Sequence, residues 1–510
     1  MIFQGLNIAA TSLKTQQRAM DVLSHNIANV NTPGYSRQMP NLMTVQPEFV
    51  NGMTLGRGVD VGSVSRSLDP FISQLMANNQ AQSGYWDTTS HYLQSIESVF
   101  GTLDTAGLNS ALDNFFTSWQ QLSNNPSGMA ERLSVSSSAQ TLGNHMSSMG
   151  IQLKQAQAQV DLDITQALAD ANSIMDQIAS LNGRLAGDST VGASSNDLLD
   201  QRDQLVQQLN RIIPVQRVNG AGGQFILQSS DGALLVQGVG VNHLVGQGMP
   251  GSALQNIAVE GGGVLAFNPG EGTLSALLDM RDTKLQGYVN QLDQLASNLI
   301  FSVNAIHTSG AGNVQNRVFN STGSVPVASM LLSDPNQTIP FADQILNGSF
   351  TIYVTDAAGI PVNAGGSPIT VDPALMSLND IAIAISAVPG VTAQVDGTGR
   401  LVIDGGANSI AFGGDSSNFL AAIGINTFFS GQSATDIAVN PEIISDPHRI
   451  ATGTIDTTTS LASQGDNSVA SAIFRLQSSS MTLSGSGAMT LAERSENLLI
   501  GYGNETAVAV

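Results

Sequence analysis

Asp200, Arg202 and Asp203 are the residues that most resemble working chemistry, two carboxylates and a guanidinium within four positions. Acid–base catalysis needs two titratable groups at one reacting atom, in environments that part their pKa values. On a helix, positions 200 and 203 fall near one face and 202 lies off it. No histidine is close in sequence, so the cluster reads as a surface ion network. The six histidines, His25, His91, His145, His243, His307 and His448, are scattered, and none has the HxxxH or HExxH spacing that brings two imidazoles to one metal. The Gly-rich stretch at 220–223 precedes a strand pattern, not the helix N-terminus that a phosphate needs. Cysteine is absent, which removes thiolate nucleophiles, thiolate metal sites and disulfides. No catalytic, cofactor-binding or metal site is expected, and the chain reads as a non-enzyme.

With no reaction to position, the question becomes what the elements are for. Ile2, Leu6, Ala9, Leu13, Met20, Leu23, Ile27 and Val30 are spaced by alternating steps of four and three, with Gln16 filling one slot. This is a heptad seam on a helix that begins almost at the first residue. Such a stripe packs either on its own domain's core or on neighbouring helices, and its terminal location favours the second. The spacing predicts one helix over 1–31, about 45 Å long. Pro33 and Gly34 would stop it. Asn26, Asn29 and Asn31 either cap the helix end or bond to neighbouring subunits, and local capping is the simpler reading. Tyr35 either packs at an interface or covers the turn.

The 510 residues exceed one ordinary core, so two to four domains are expected. A hydrophobic content of 42% against 11% charge makes the chain globular. The net charge of −21 argues against nucleic acid or an anionic membrane as partner. That charge is uneven. Residues 1–68 carry five basic residues against three acidic ones, so the terminal segment is nearly neutral and the body strongly acidic. No apolar run is long enough to span a membrane, and no continuous apolar stretch follows a basic start as in a signal peptide.

The organisation expected is multidomain, α and α+β. Residues 1–68 form a terminal coiled-coil-type helix and an extended, partly β connector. Residues 69–310 form a long helical-bundle body. Within it, Phe71, Ile72, Leu75, Met76, Trp86, Leu93, Ile96, Val99 and Phe100 share one stripe, helices pack lengthwise over 129–185, and 214–268 carries a β-hairpin element turning at Ser229-Ser230-Asp231-Gly232. Residues 311–440 alternate at Phe350, Ile352 and Val354 and read as an inserted α+β outer domain. Residues 441–510 return to the helical body, with a capping box at Thr490–Glu493.

The run Ser24-His25-Asn26-Ile27-Ala28-Asn29-Val30-Asn31-Thr32-Pro33-Gly34-Tyr35-Ser36-Arg37 resembles the N-terminal signature of bacterial flagellar rod, hook and hook-associated axial proteins. Asn196-Asp197-Leu198-Leu199-Asp200-Gln201-Arg202-Asp203, Arg281-Asp282, Val303-Asn304-Ala305-Ile306-His307 and Asp466-Asn467-Ser468 are similar to stretches in the hook-associated branch. The resemblance implies a structural subunit at the junction of hook and filament, outside the cell and exported without a cleaved signal. Its implied partners are copies of itself in a ring, hook protein, the next hook-associated protein or filament subunits, and an export chaperone. The terminal stripe would be the subunit interface. The long helices over 70–213 weigh against a hook or rod protein. A secreted enzyme carrying a flagellar export region would need convergent carboxylates that the spacing does not supply. The family pattern continues into a C-terminal helix with a second seam, and against it this sequence reads as lacking that helix.

Overall fold

The computed structural model describes residues 2–50, 53–101, 107–191, 195–220, 224–249, 254–314, 316–463, 465–480 and 489–497; at 2–4, 50, 53–54, 97–101, 188–191 and 219 it describes the backbone alone. Mixed helix and sheet run throughout. In chain order the first elements are α1 (Ile2–Ala28), β1 (Gln38–Thr44), β2 (Glu48–Val50), β3 (Met53–Leu55), β4 (Val59–Arg66), α2 (Pro70–Gly101), α3 (Leu108–Asn124), α4 (Met129–Val191) and α5 (Asn196–Ile212). Next come β5 (Val215–Asn219), β6 (Phe225–Ser229), β7 (Leu234–Gln237), β8 (Gly240–Val241), β9 (Leu244–Gly248), β10 (Gln255–Val259), α6 (Thr273–Asp279), a π-helical segment at Met280–Leu285, and α7 (Gln286–His307). The rest is β11 (Val318–Asn320), β12 (Gly348–Thr355), β13 (Ser367–Val371), α8 (Leu378–Ser386), β14 (Thr392–Val395), β15 (Leu401–Asp404), β16 (Ser409–Gly413), α9 (Phe419–Ile423), β17 (Phe429–Ser430), β18 (Ala438–Val439), α10 (Pro441–Ser445) and α11 (Ser468–Arg475).

The contacts divide the chain into two units, one built from 1–93 and 157–284, the other from 94–156 and from 285 onward. In the first, β1 and β4 pair antiparallel, with a bulge at Asn41/Leu42, and α1 lies along them. β5 to β8 form a four-stranded antiparallel sheet, and its β6–β7 hairpin turns where Gly232 takes φ +89°, a conformation glycine adopts without strain. The core takes Val160, Ile164, Leu168, Ala171, Met175 and Ile178 from α4, with Leu209, Leu227, Val236, Leu244 and Ile257. Asn172 fixes the register of helix against strand by exchanging two hydrogen bonds with the Leu244 backbone.

The second unit contains an α+β core. Two three-stranded antiparallel sheets, ordered β11-β15-β14 and β13-β12-β16, bury Phe350, Ile352, Val354, Ile403 and Phe412 with Leu378, Ile381 and Ile385 of α8. A capping box starts α8: Ser377 accepts from the Asp380 N–H, and Asp380 accepts from the Ser377 N–H. A second aromatic cluster of Phe115, Trp119, Phe428 and Phe429 is fully buried. The expected Thr490–Glu493 capping box is present, each residue's side chain accepting from the other's backbone amide.

Three expectations require correction. The 129–185 stretch is part of one 63-residue helix, not several helices. The α2 stripe does not run continuously: Phe71, Ile72, Leu75, Met76 and Trp86 are exposed while Leu93 and Ile96 are buried. The side chains of Val99 and Phe100 lie outside those described. The apolar stripe over 272–310 predicts one helix, which is interrupted by the π segment that carries Arg281 and Asp282.

Candidate assembly surface and its polar clamp

On α1 the apolar and packed faces are opposite ones. Leu6, Ala9, Leu13, Met20, Leu23 and Ile27, with Val30 just beyond the helix, are all exposed, Leu13 to 74%. The side chain of Ile2 lies outside those described. The face turned to the β1–β4 ribbon has a polar centre at Thr15, flanked by half-buried Ala19 and Val22. Thr15 is buried, and its hydroxyl donates to Val59 O at 2.7 Å and to Thr11 O at 2.9 Å. Arg18 pairs with Asp60 at 3.0 Å on the surface, where such a pair adds little. A helix that turns Thr15 inward and Leu13 outward is not amphipathic toward its own domain.

The signature residues after α1 make local bonds. Asn26 exchanges two bonds with Gln38, its Oδ1 accepting from the N–H and its Nδ2 donating to the carbonyl, each at 2.8 Å. This ties the last helical turn to the first strand residue. The Tyr35 hydroxyl donates to Asn26 Oδ1 at 2.8 Å and therefore accepts from His25 Nδ1, 3.1 Å away. Burial, then the Asp197 and Asp200 carboxylates, raise the Tyr35 pKa above its ordinary value, which keeps the phenol a donor. Asn29 donates to His25 O and accepts from Thr32, closing the helix end. Asn31, Thr32, Pro33 and Gly34 are exposed. Gly34 has φ +81°, and a Cβ there would press on the Gln204 side chain at 3.3 Å, so conformation and space both ask for glycine.

The Asp200–Asp203 cluster lies beneath this turn and is not the surface network expected. Arg66, at the end of β4, sends Nη1 to Asp200 Oδ1 at 2.7 Å and to Asp203 Oδ2 at 2.8 Å, with the Arg66 and Asp200 side chains each only 8% exposed. The other Asp200 oxygen accepts from the Ser36 N–H at 2.9 Å. Asn196 donates to Val64 O, and Gln38 donates to Asp197. Arg202 turns away to Asn182 and lies 4.0 Å over the Phe225 ring; burial lowers its pKa to about 10. The turn after α1 and the Asn196–Asp203 stretch, separate in sequence, thus form one structure. Arg66, its central cation, carries no local signal, because its partners are more than 130 positions away.

The other signature stretches also make structural bonds. Arg281 is fully buried, forked onto Asp282 at 2.7 and 2.9 Å and reaching Asp161 at 2.5 Å. Asn304 accepts from the Phe428 and Phe429 amides and donates to Phe429 O. His307 Nδ1 donates to Asn426 O at 2.8 Å while Nε2 accepts from the Ala451 N–H at 2.9 Å, and burial lowers its pKa to about 4. Asp466 accepts from Thr454 and Ser468, and Asn467 donates to Ser123 O, seating α11 on α3. Sequence reading missed Arg132, whose buried guanidinium donates to Pro126 O and Ile450 O and makes no ion pair among the described residues. Among the described residues, no group of three His, Asp or Glu side chains is placed to hold a metal.

Residues 6–35 match the family described as Flagella basal body rod protein, and residues 93–319 match the Flagellar hook-associated protein FlgK helical domain. The terminal helix, its turn and the helical body therefore define a flagellar axial protein. Flagellar hook-associated protein 1 of Salmonella typhimurium is 32% identical over 363 residues, covering 69% of this chain and 65% of the relative. The namesake of Escherichia coli K12 is 28% identical over 516 residues, covering 98% of this chain and 88% of the relative. The solved flagellar hook junction protein FlgK from Burkholderia pseudomallei shares the fold, with a TM-score of 0.52 at 20% identity over 86% of this chain and 96% of that one. Along most of its length the chain is similar to flagellar hook-associated protein 1, with the helical-domain family model matching residues 93–319. It spans 65% of the length of the Salmonella relative it matches.

Proposed function

We propose that this protein is a structural subunit of the bacterial flagellum at the junction between hook and filament, self-assembling through α1. The exposed Leu6–Val30 stripe carries the reading, because the helix packs on its own ribbon through Thr15 and leaves its apolar residues to water. Burying a large apolar side chain stabilises by roughly 1.5–3 kcal/mol, so the six large residues supply about 9–18 kcal/mol gross. Association costs about 4–15 kcal/mol. One contact of this kind is marginal, and a ring in which each helix meets several neighbours is stable. The stripe then forms a coiled-coil-type inner wall. The partners are copies of the chain, with hook protein on one side and the next hook-associated protein or filament subunits on the other. An export chaperone is a further partner. No reaction, cofactor or metal is assigned.

The test is Leu13→Asp, alone and with Met20→Asp, in a strain lacking the native protein. Filaments should no longer attach to hooks, while the purified variant's urea-unfolding midpoint stays within error of the parent's. Normal filament number in the double variant would refute the reading.

A further inference from the structure

On β12, Phe350, Ile352 and Val354 enter the α+β core, so alternation sends Thr351, Tyr353 and Thr355 to the opposite face of the sheet. That face would be expected to meet water, yet Tyr353 is 8% exposed and Thr355 only 3%. A second wall covers it. This wall is the run 311–314, bridged at Ala311 to Gly453, and a hairpin over 455–462, bridged between Ile455 and Ala462. Between sheet and wall lies a cavity of about 450 Å³, within the size range of small-molecule sites. Ser127, Asn313, Tyr353, Thr355, Ser460 and Ser463 line it together with aliphatic residues. Among the described residues no charged side chain lines it, so a phosphate or a metal ion would find no counter-charge there.

Ser460 marks this cavity as more than a packing defect. It is 3% exposed, and its Oγ has no hydrogen-bond partner among the described residues, which destabilises the fold. Its backbone is also strained, with φ +56°, a left-handed conformation that a residue with a side chain adopts at a cost. The hairpin turn holds it there: the Ser460 N–H donates to Asp456 O, the Asp456 N–H donates to Leu461 O, and Asp456 Oδ1 accepts from the Thr458 and Thr459 amides. Tyr353 is given space for its ring. A Cβ at Gly366 would lie 2.8 Å from Cε1, and one at Gly413 would lie 3.1 Å from Cε2. We propose that the cavity binds a neutral sugar ring, with Ser460 Oγ bonding one of its hydroxyls and Tyr353 packing against it. A hydroxyl both donates and accepts, as a sugar hydroxyl does, so the unpaired Oγ suits either direction of bond. A sugar presents hydroxyls at its edge and C–H groups on its faces, which matches a wall of polar, aromatic and aliphatic side chains without charge. All these residues belong to the second unit, so the inference is tested independently of the assembly reading.

The test is saturation-transfer NMR on the full chain, with glucose, galactose, mannose and N-acetylglucosamine as probes at millimolar concentration. At least one of these sugars should receive saturation and bind with a millimolar dissociation constant. Ser460→Gly removes the hydroxyl and leaves a residue that takes φ +56° freely, so the variant keeps its fold. It should bind that sugar about tenfold more weakly, with a thermal midpoint at or above the parent's. Tyr353→Phe keeps the ring and should weaken binding about threefold. The phosphate ester of the same sugar should bind no more tightly than the sugar itself. Absence of transfer to all four sugars overturns the proposal. So does parental affinity in both variants, which would put the sugar elsewhere, and so does tighter binding of the phosphate ester, which would mean a site for anions.

Discussion

His307 is neutral at physiological pH because its buried ring is already committed at both nitrogens, one donating to Asn426 O and one accepting from the Ala451 amide. Burial lowers its pKa to about 4, against about 6.5 in an unfolded chain. The unfolded state therefore binds the proton more readily between these values, and stability falls as pH drops from about 6.5 toward 4. At pH 5 this residue alone should cost on the order of 2 kcal/mol relative to pH 7. Urea unfolding of the parent and of His307→Gln at both pH values checks this: the variant should lose that part of the pH dependence. An identical pH dependence in both would show that the proton goes elsewhere. The bonding of His307 was not legible, since nothing near position 307 announces that residues 426 and 451 close over it. Arg66 is the same case. Its carboxylates at 200 and 203 were visible as a cluster, but their burial depends on a cation from another element, and local spacing cannot report that.

Elements were legible where they obey one local rule. The seam announced α1, the hairpin turn announced β6, alternation announced β12, and Thr490–Glu493 announced its capping box. The α8 box should behave as such caps do: Ser377→Ala should destabilise the second unit by about 1 kcal/mol in urea unfolding, and a neutral result would show that the cap adds nothing there. Elements were misread where tertiary contact overrides local preference. Residues 129–185 read as several helices, yet one helix runs through Gly143, Gly150 and Gly183. At two of them the chain passes close by. A Cβ at Gly143 would lie 3.3 Å from Ile437 O, and one at Gly150 would lie 2.8 Å from a Thr435 methyl carbon, so these glycines make room for a crossing segment. The π segment carries Arg281, which forks onto Asp282 and reaches Asp161 on α4, a partner 120 positions away that local spacing does not announce. The outward direction of the α1 stripe was the part of the surface most open to sequence reading. The polar centre of its inner face was not, because Thr15 and Asn26 do not look like packing residues.

Among the described residues, fully buried apolar side chains begin at Ala81, and the stripe that would need a core stands in water. The body is acidic and folded around its own cores, whereas the terminal segment is near-neutral and its apolar residues are at most half-buried among those described. That asymmetry is what an assembling subunit requires, a self-sufficient body carrying an incomplete surface. The central claim is that other subunits complete it, and a single spin label at Leu13→Cys tests this directly. In the free protein the label should be mobile and open to a water-soluble relaxation agent, because Leu13 is 74% exposed. In assembled hook–filament junctions it should become immobile and lose most of that access, while a label at the exposed Ile383 of α8 keeps its mobility and access. A label at position 13 that stays mobile and accessible in assembled junctions would contradict the account.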